Sequence, residues 1–64
     1  MPIINIQISE GRTGEQKAKI SEEITNAVAK HGGVDADKVI ILWNDIPRYN
    51  QSVGGKMRGT PENK

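Results

Sequence analysis

The opening stretch, MPIINIQISEGR, places a proline directly behind the initiator methionine. Inside a chain, a proline nitrogen is a tertiary amide and has no basicity. At a chain terminus it is a secondary amine. Small penultimate residues, proline among them, permit removal of the methionine, and Pro2 would then present that amine. A free α-amino group titrates near ~8. Apolar surroundings disfavour its protonated form, and a nearby arginine does the same. Such a nitrogen suits general-base work at neutral pH. The plainer reading is a strand-opening residue, where a missing amide hydrogen leaves no ladder bond unmade.

Arg12 is the second candidate. Its guanidinium fork matches a carboxylate bidentately, and a helix start beside it adds amide donors that favour an anion. As an isolated residue it is equally a solvated surface arginine. His31 suits the negative end of a helix dipole. Glu22, Glu23, Asp35 and Asp37 read as a solvated face and loop. The VGGK stretch lacks the spacing and the Ser/Thr of a phosphate-binding loop. With no cysteine and one histidine, neither a disulfide nor a protein-only zinc site is expected.

These residues need elements to position them. In PIINIQIS, Ile4, Ile6 and Ile8 fall on one face, together with Pro2, and Asn5 and Gln7 on the other, as in a half-buried strand. Gly11 marks a turn. Thr13 followed three residues later by Gln16 forms a capping-box pattern that starts a helix. Ile20, Ile24, Ala27, Val28 and His31 make one stripe of that helix, with Lys19, Glu22 and Thr25 opposite. Gly32 is the expected left-handed C-cap. Val39 to Trp43 reads as a parallel strand buried on both faces. Strand, helix and strand make a βαβ unit. IPRYNQ is a loop, and SVGGK is a turn or one arm of a hairpin. A polar tail is expected over about 57–64.

The 64 residues make one domain, with a net charge of +1 and only two aromatic side chains, Trp43 and Tyr49. This charge gives no field for nucleic acid, and no apolar run approaches the ~20 residues of a membrane span. A cytoplasmic protein is expected. One helix covers only one face of a two-stranded sheet, so Ile40, Ile41 and Leu42 leave apolar side chains bare on the other. Burial therefore demands an oligomer.

Pro2 behind the methionine, the segments EGRT (10–13) and EQK (15–17), the single βαβ unit and the pair Gly54–Gly55 together resemble the 4-oxalocrotonate tautomerase family, over residues 2 to about 56. The resemblance implies an α+β fold, a βαβ subunit with a short C-terminal hairpin. Two subunits form a four-stranded sheet, and three dimers form a homohexamer. It implies an isomerase in which Pro2 is the general base. The base moves a proton between enol and keto forms of 2-hydroxy-dienoate or 2-oxo acids, such as 2-hydroxymuconate, without metal or organic cofactor. Arg12 becomes the carboxylate-binding arginine.

Two positions depart from the family pattern. A second arginine, early in the second strand, is replaced by Ile40, with Lys38 two residues before it. A pocket phenylalanine is replaced by Gln51, with Tyr49 nearby. Lys38 and Gln51 are accordingly expected at the substrate, and Arg48 and Arg58 are further replacements for the missing cation. With that arginine gone, a dicarboxylate gains little over a monocarboxylate. Two other readings stand beside this one. One is a hydratase or dehalogenase relative that uses protonated Pro2 as an acid. The other is a non-catalytic subunit of a mixed oligomer.

Overall fold

A computed structural model describes residues 1–59. Strand β1 (Ile3–Ser9) leads into helix α1 (Gly14–Gly32), which returns the chain to strand β2 (Ile40–Ile46). Strands β1 and β2 pair in parallel, with Ile3 opposite Ile40, Ile6 opposite Trp43 and Ser9 opposite Ile46. Two-residue strands β3 (Ser52–Val53) and β4 (Lys56–Met57) form an antiparallel hairpin. Its turn needs positive φ at both central residues, and Gly54 (60°) and Gly55 (83°) provide it. The expected α+β unit with a C-terminal hairpin is thus present. Of the expected polar tail, Met57 lies in β4 and the Arg58 amide donates to the Gln51 carbonyl at 2.8 Å. Residues 60–64 lie outside the described residues.

The helix begins where its capping box predicts. Thr13 Oγ1 accepts from the Gln16 amide at 3.1 Å, and Gln16 Oε1 accepts from the Thr13 amide at 2.9 Å. Its end is one residue later than expected. Gly32 is the last helical residue, and Gly33, at φ 68°, is the left-handed cap whose amide donates to the Ala29 carbonyl at 3.1 Å. The strand expected at Val39 starts at Ile40 and runs on to Ile46, because a 3-10 turn (Ala36–Lys38) holds the Val39 amide on the Ala36 carbonyl.

The helix also sits on the sheet with a different face from the one its apolar stripe suggests. Ile24 and Val28 pack inward as expected. Ala27 and His31 are exposed, whereas Lys17, Ser21 and Thr25 are half-buried. The cause lies in the opposing strand. On the helix side of β2 stand Trp43, whose Nε1 donates to Ser21 Oγ at 3.0 Å, and Asp45, which pairs with Lys17. The Lys17 ammonium lies 5.9 Å from the centre of the Trp43 ring. Polar groups on the sheet thus select polar partners on the helix.

The other sheet face is uncovered. Ile3 is 56% exposed and Leu42 51%. Both strands are also edges, so β2 is not the central strand its apolar run suggests. Among the described residues none is fully buried. The radius of gyration is 15.1 Å, against ~11 Å for a compact chain of this length. A subunit of this kind has a half-built core.

Candidate active site

Pro2 stands at the head of β1. Its carbonyl accepts from the Ile40 amide at 3.0 Å, which fixes it beside the start of β2. The ring is half-buried on the helix side, in line with Ile4, Ile6 and Ile8, while Met1 projects into solvent at 83% exposure. With Met1 attached, the Pro2 nitrogen is an amide. Lys38 belongs to the same end of the sheet, two residues before Ile40 and at the close of the 3-10 turn. It is exposed.

Arg12 belongs to the opposite end. The ladder of β1 continues to Glu10, whose amide donates to the Ile46 carbonyl at 3.0 Å, and Gly11 then turns the chain at φ 124°. Arg12 follows, immediately before the Thr13 cap, and it is exposed. The seven residues of β1 separate it from Pro2, a rise of ~20 Å. The structure therefore does not bring Pro2 and Arg12 together within one chain.

Gln51 is also at the Arg12 end, and its amide is committed inside the chain. Nε2 donates to the carbonyl of Ile46 at 2.9 Å and, at 3.5 Å, lies near that of Pro47. Oε1 accepts from Ser9 Oγ at 3.0 Å and from Arg58 Nη1 at 3.1 Å. A primary amide has two donor hydrogens and two acceptor positions, so little remains for a substrate. Gln51 instead ties the hairpin to the end of β1. Arg48 braces the same junction, its Nη2 donating to the Arg58 carbonyl at 3.3 Å. This network escapes sequence reasoning because its members lie far apart in the chain. The signal that could reveal it is Gln51 itself, a glutamine where the resemblance implies an apolar ring.

The two ends differ chemically. One presents a latent amine, Lys38 and the basic last turn of α1, Lys30 and His31. The other presents Arg12, Arg48 and Arg58 with Glu10 and Glu15 near the helix start, and among the described residues the one ion pair is Lys17–Asp45, on the covered face. Among the described residues no cavity is enclosed, and no three His, Asp or Glu side chains converge as a metal-binding set. No helix of the described residues is long and apolar enough to cross a membrane.

Comparison with known proteins agrees with this architecture. A family model described as tautomerase enzyme matches residues 2–60. A probable tautomerase of Bradyrhizobium diazoefficiens is 48% identical over 88% of this chain and 84% of its own. A probable tautomerase of Lactococcus lactis is 40% identical over 91% of this chain and 95% of its own. Among solved structures, a 4-oxalocrotonate tautomerase isozyme from Methylibium petroleiphilum superposes with a TM-score of 0.84. It is 40% identical, with 89% of each chain covered. The chain belongs to the tautomerase family and is an isomerase of the 4-oxalocrotonate tautomerase type.

Proposed function

We propose that the protein is a cytoplasmic, homo-oligomeric tautomerase that moves a proton between enol and keto forms of 2-hydroxy-dienoate or 2-oxo acids, with Pro2 as the base. The observation that carries this reading is the contrast at the N-terminus: Pro2 is half-buried and hydrogen-bonded to β2, while Met1 stands in solvent. Removing Met1 sacrifices almost no packing and converts a fixed amide into a fixed secondary amine. That amine, flanked by an apolar strand face, takes the enol hydroxyl proton and returns a proton to a distant carbon of the conjugated chain. Arg12 holds a substrate carboxylate.

The distance between Pro2 and Arg12 makes the site a property of the assembly. A two-fold axis relating two copies through a strand edge runs their strands antiparallel. The Pro2 end of one subunit then lies beside the Arg12 end of its partner. Copies related in this way cover the bare Ile3, Ile40 and Leu42 face only by further stacking, and the resemblance gives the number as three dimers. Lys38 accompanies Pro2 and polarises the substrate's 2-oxygen, and Gln51 acts by holding the hairpin.

The test is a pair of preparations, one with Met1 removed and one with Met1 retained, each verified by intact mass. Both are assayed for ketonisation of 2-hydroxymuconate and phenylenolpyruvate. Activity confined to the processed form supports the reading. Equal activity in the two forms makes Pro2 an ordinary strand-opening residue.

A further inference from the structure

We infer that Arg58, held in place by Gln51, is a specificity-determining residue: it supplies the second cation of the anion-binding end and makes the site prefer dicarboxylates to monocarboxylates. The inference rests on the tautomerase reading above and adds to it a residue outside the positions that carry the resemblance.

Four observations support it. First, Ile40, where the resemblance implies a second arginine, is apolar and at the Pro2 end. Second, Arg58 is carried to the other end by the hairpin, where its Nη1 donates at 3.1 Å to the same Gln51 Oε1 that receives the Ser9 hydroxyl at 3.0 Å. Arg12 follows Ser9 by three residues, ~10 Å of fully extended chain. Two arginine side chains can therefore converge on one small molecule. Third, a guanidinium has five donor hydrogens. The Arg58 guanidinium uses one, on Gln51, and among the described residues neither Arg12 nor Arg58 meets a carboxylate. Fourth, the bracing is redundant. The Arg58 amide donates to the Gln51 carbonyl at 2.8 Å, Arg48 Nη2 donates to the Arg58 carbonyl at 3.3 Å, and Gly59 packs where a Cβ would meet Arg48 at 3.1 Å. These contacts fix the main chain at position 58, and the Gln51 bond then orients the side chain. Glu10 and Glu15 lie near Arg12 at the start of the helix, and neither pairs with Arg12 or Arg58, so both guanidinium groups stay open to an anion.

Arg12 then takes one carboxylate and Arg58 the second. On this inference a dicarboxylate is preferred, where Ile40 alone leads to the opposite expectation.

The experiment compares wild type with Arg58→Ala, Arg58→Lys and Gln51→Leu on 2-hydroxymuconate and phenylenolpyruvate. Sedimentation checks that each variant keeps the wild-type assembly. Losing a charge-assisted hydrogen bond corresponds to ~10–100-fold. Arg58→Ala is expected to lower kcat/KM for the diacid by at least ~10-fold more than for the monoacid, chiefly through KM. Arg58→Lys should recover part of the difference, and Gln51→Leu should shift the ratio in the same direction as Arg58→Ala. A differential below ~10-fold in Arg58→Ala overturns the proposal. A parallel measurement separates this failure from failure of the tautomerase reading. Binding of muconate and of sorbate, a diacid and a monoacid without a hydroxyl, is measured by calorimetry and needs no turnover. Preference for muconate that Arg58→Ala abolishes supports the inference even in an inactive protein. Equal binding of the two by wild type overturns it even in an active one.

Discussion

At the Pro2 end of the sheet, the chain offers a nitrogen that becomes basic on processing, apolar neighbours, Lys38 and the basic last turn of the helix, Lys30 and His31. At the Arg12 end, it offers three arginines, a helix start flanked by Glu10 and Glu15, and a braced hairpin, but no terminal amine. Seven residues of strand stand between them. Each end lacks what the other has. The proposed proton transfer on an anionic substrate uses both, and under that proposal the isolated subunit holds two halves of a site. The bare sheet face and, among the described residues, the absence of any fully buried one show from packing that the subunit is incomplete alone.

The comparison can be broken most severely at the Pro2 end. A preparation that retains Met1, or carries an N-terminal tag, is expected to lose ~10²–10⁴ in rate, the contribution typical of a positioned base. Its sedimentation should not change, since Met1 is already in solvent. In the processed protein, activity should rise with pH through one ionisation at or below ~8, because only the deprotonated amine accepts a proton. A profile that falls with rising pH there would favour the protonated proline of a hydratase or dehalogenase.

Between the ends, Leu42→Glu puts a charge on the uncovered face. An unpaired buried charge costs several kcal/mol, so the assembly should dissociate at micromolar concentration and activity should go with it. An active monomer would mean that one chain suffices. At the other end, Arg12→Ala should raise KM by ~10–100-fold, as for a lost charge-assisted contact, with a smaller change in kcat. A fall in kcat alone would give Arg12 a part in the transition state. The smallest effect is expected at Gly55. Alanine there must adopt φ 83°, at a cost of ~1–2 kcal/mol. Thermal unfolding of Gly55→Ala should show the loss, and the diacid preference should weaken as the hairpin frays.

The legible and illegible parts of the molecule divide along the range of the interactions. The Thr13–Gln16 cap, the alternation of Ile4, Ile6 and Ile8, and the Gly54–Gly55 turn are all decided within a few residues, and each is read directly from sequence. The helix face is not. Its apolar stripe runs through Ala27 and His31, yet Trp43 and Asp45, in a strand far along the chain, draw Ser21 and Lys17 inward. The C-cap is displaced by one residue because two consecutive glycines, Gly32 and Gly33, offer the same freedom. Pro2 and Arg12 are legible as residue types with a chemistry, but the strand that holds them apart becomes meaningful only in three dimensions. Gln51 is the extreme case. Its partners, Ser9, Ile46 and Arg58, come from three elements, and no local pattern announces them.

The claim that the two ends serve one site across subunits is tested most directly by mixing. Processed Pro2→Ala and Arg12→Ala subunits are unfolded, combined in equal amounts and refolded, with each parent treated alone as a control. A shared site predicts that the mixture exceeds both parents. About a quarter of its sites then pair an intact Pro2 with a partner's intact Arg12, the fraction for random two-subunit sites. A mixture no more active than the average of the parents, with mixed oligomers verified by mass, would place Pro2 and Arg12 in the same subunit's site and contradict the account.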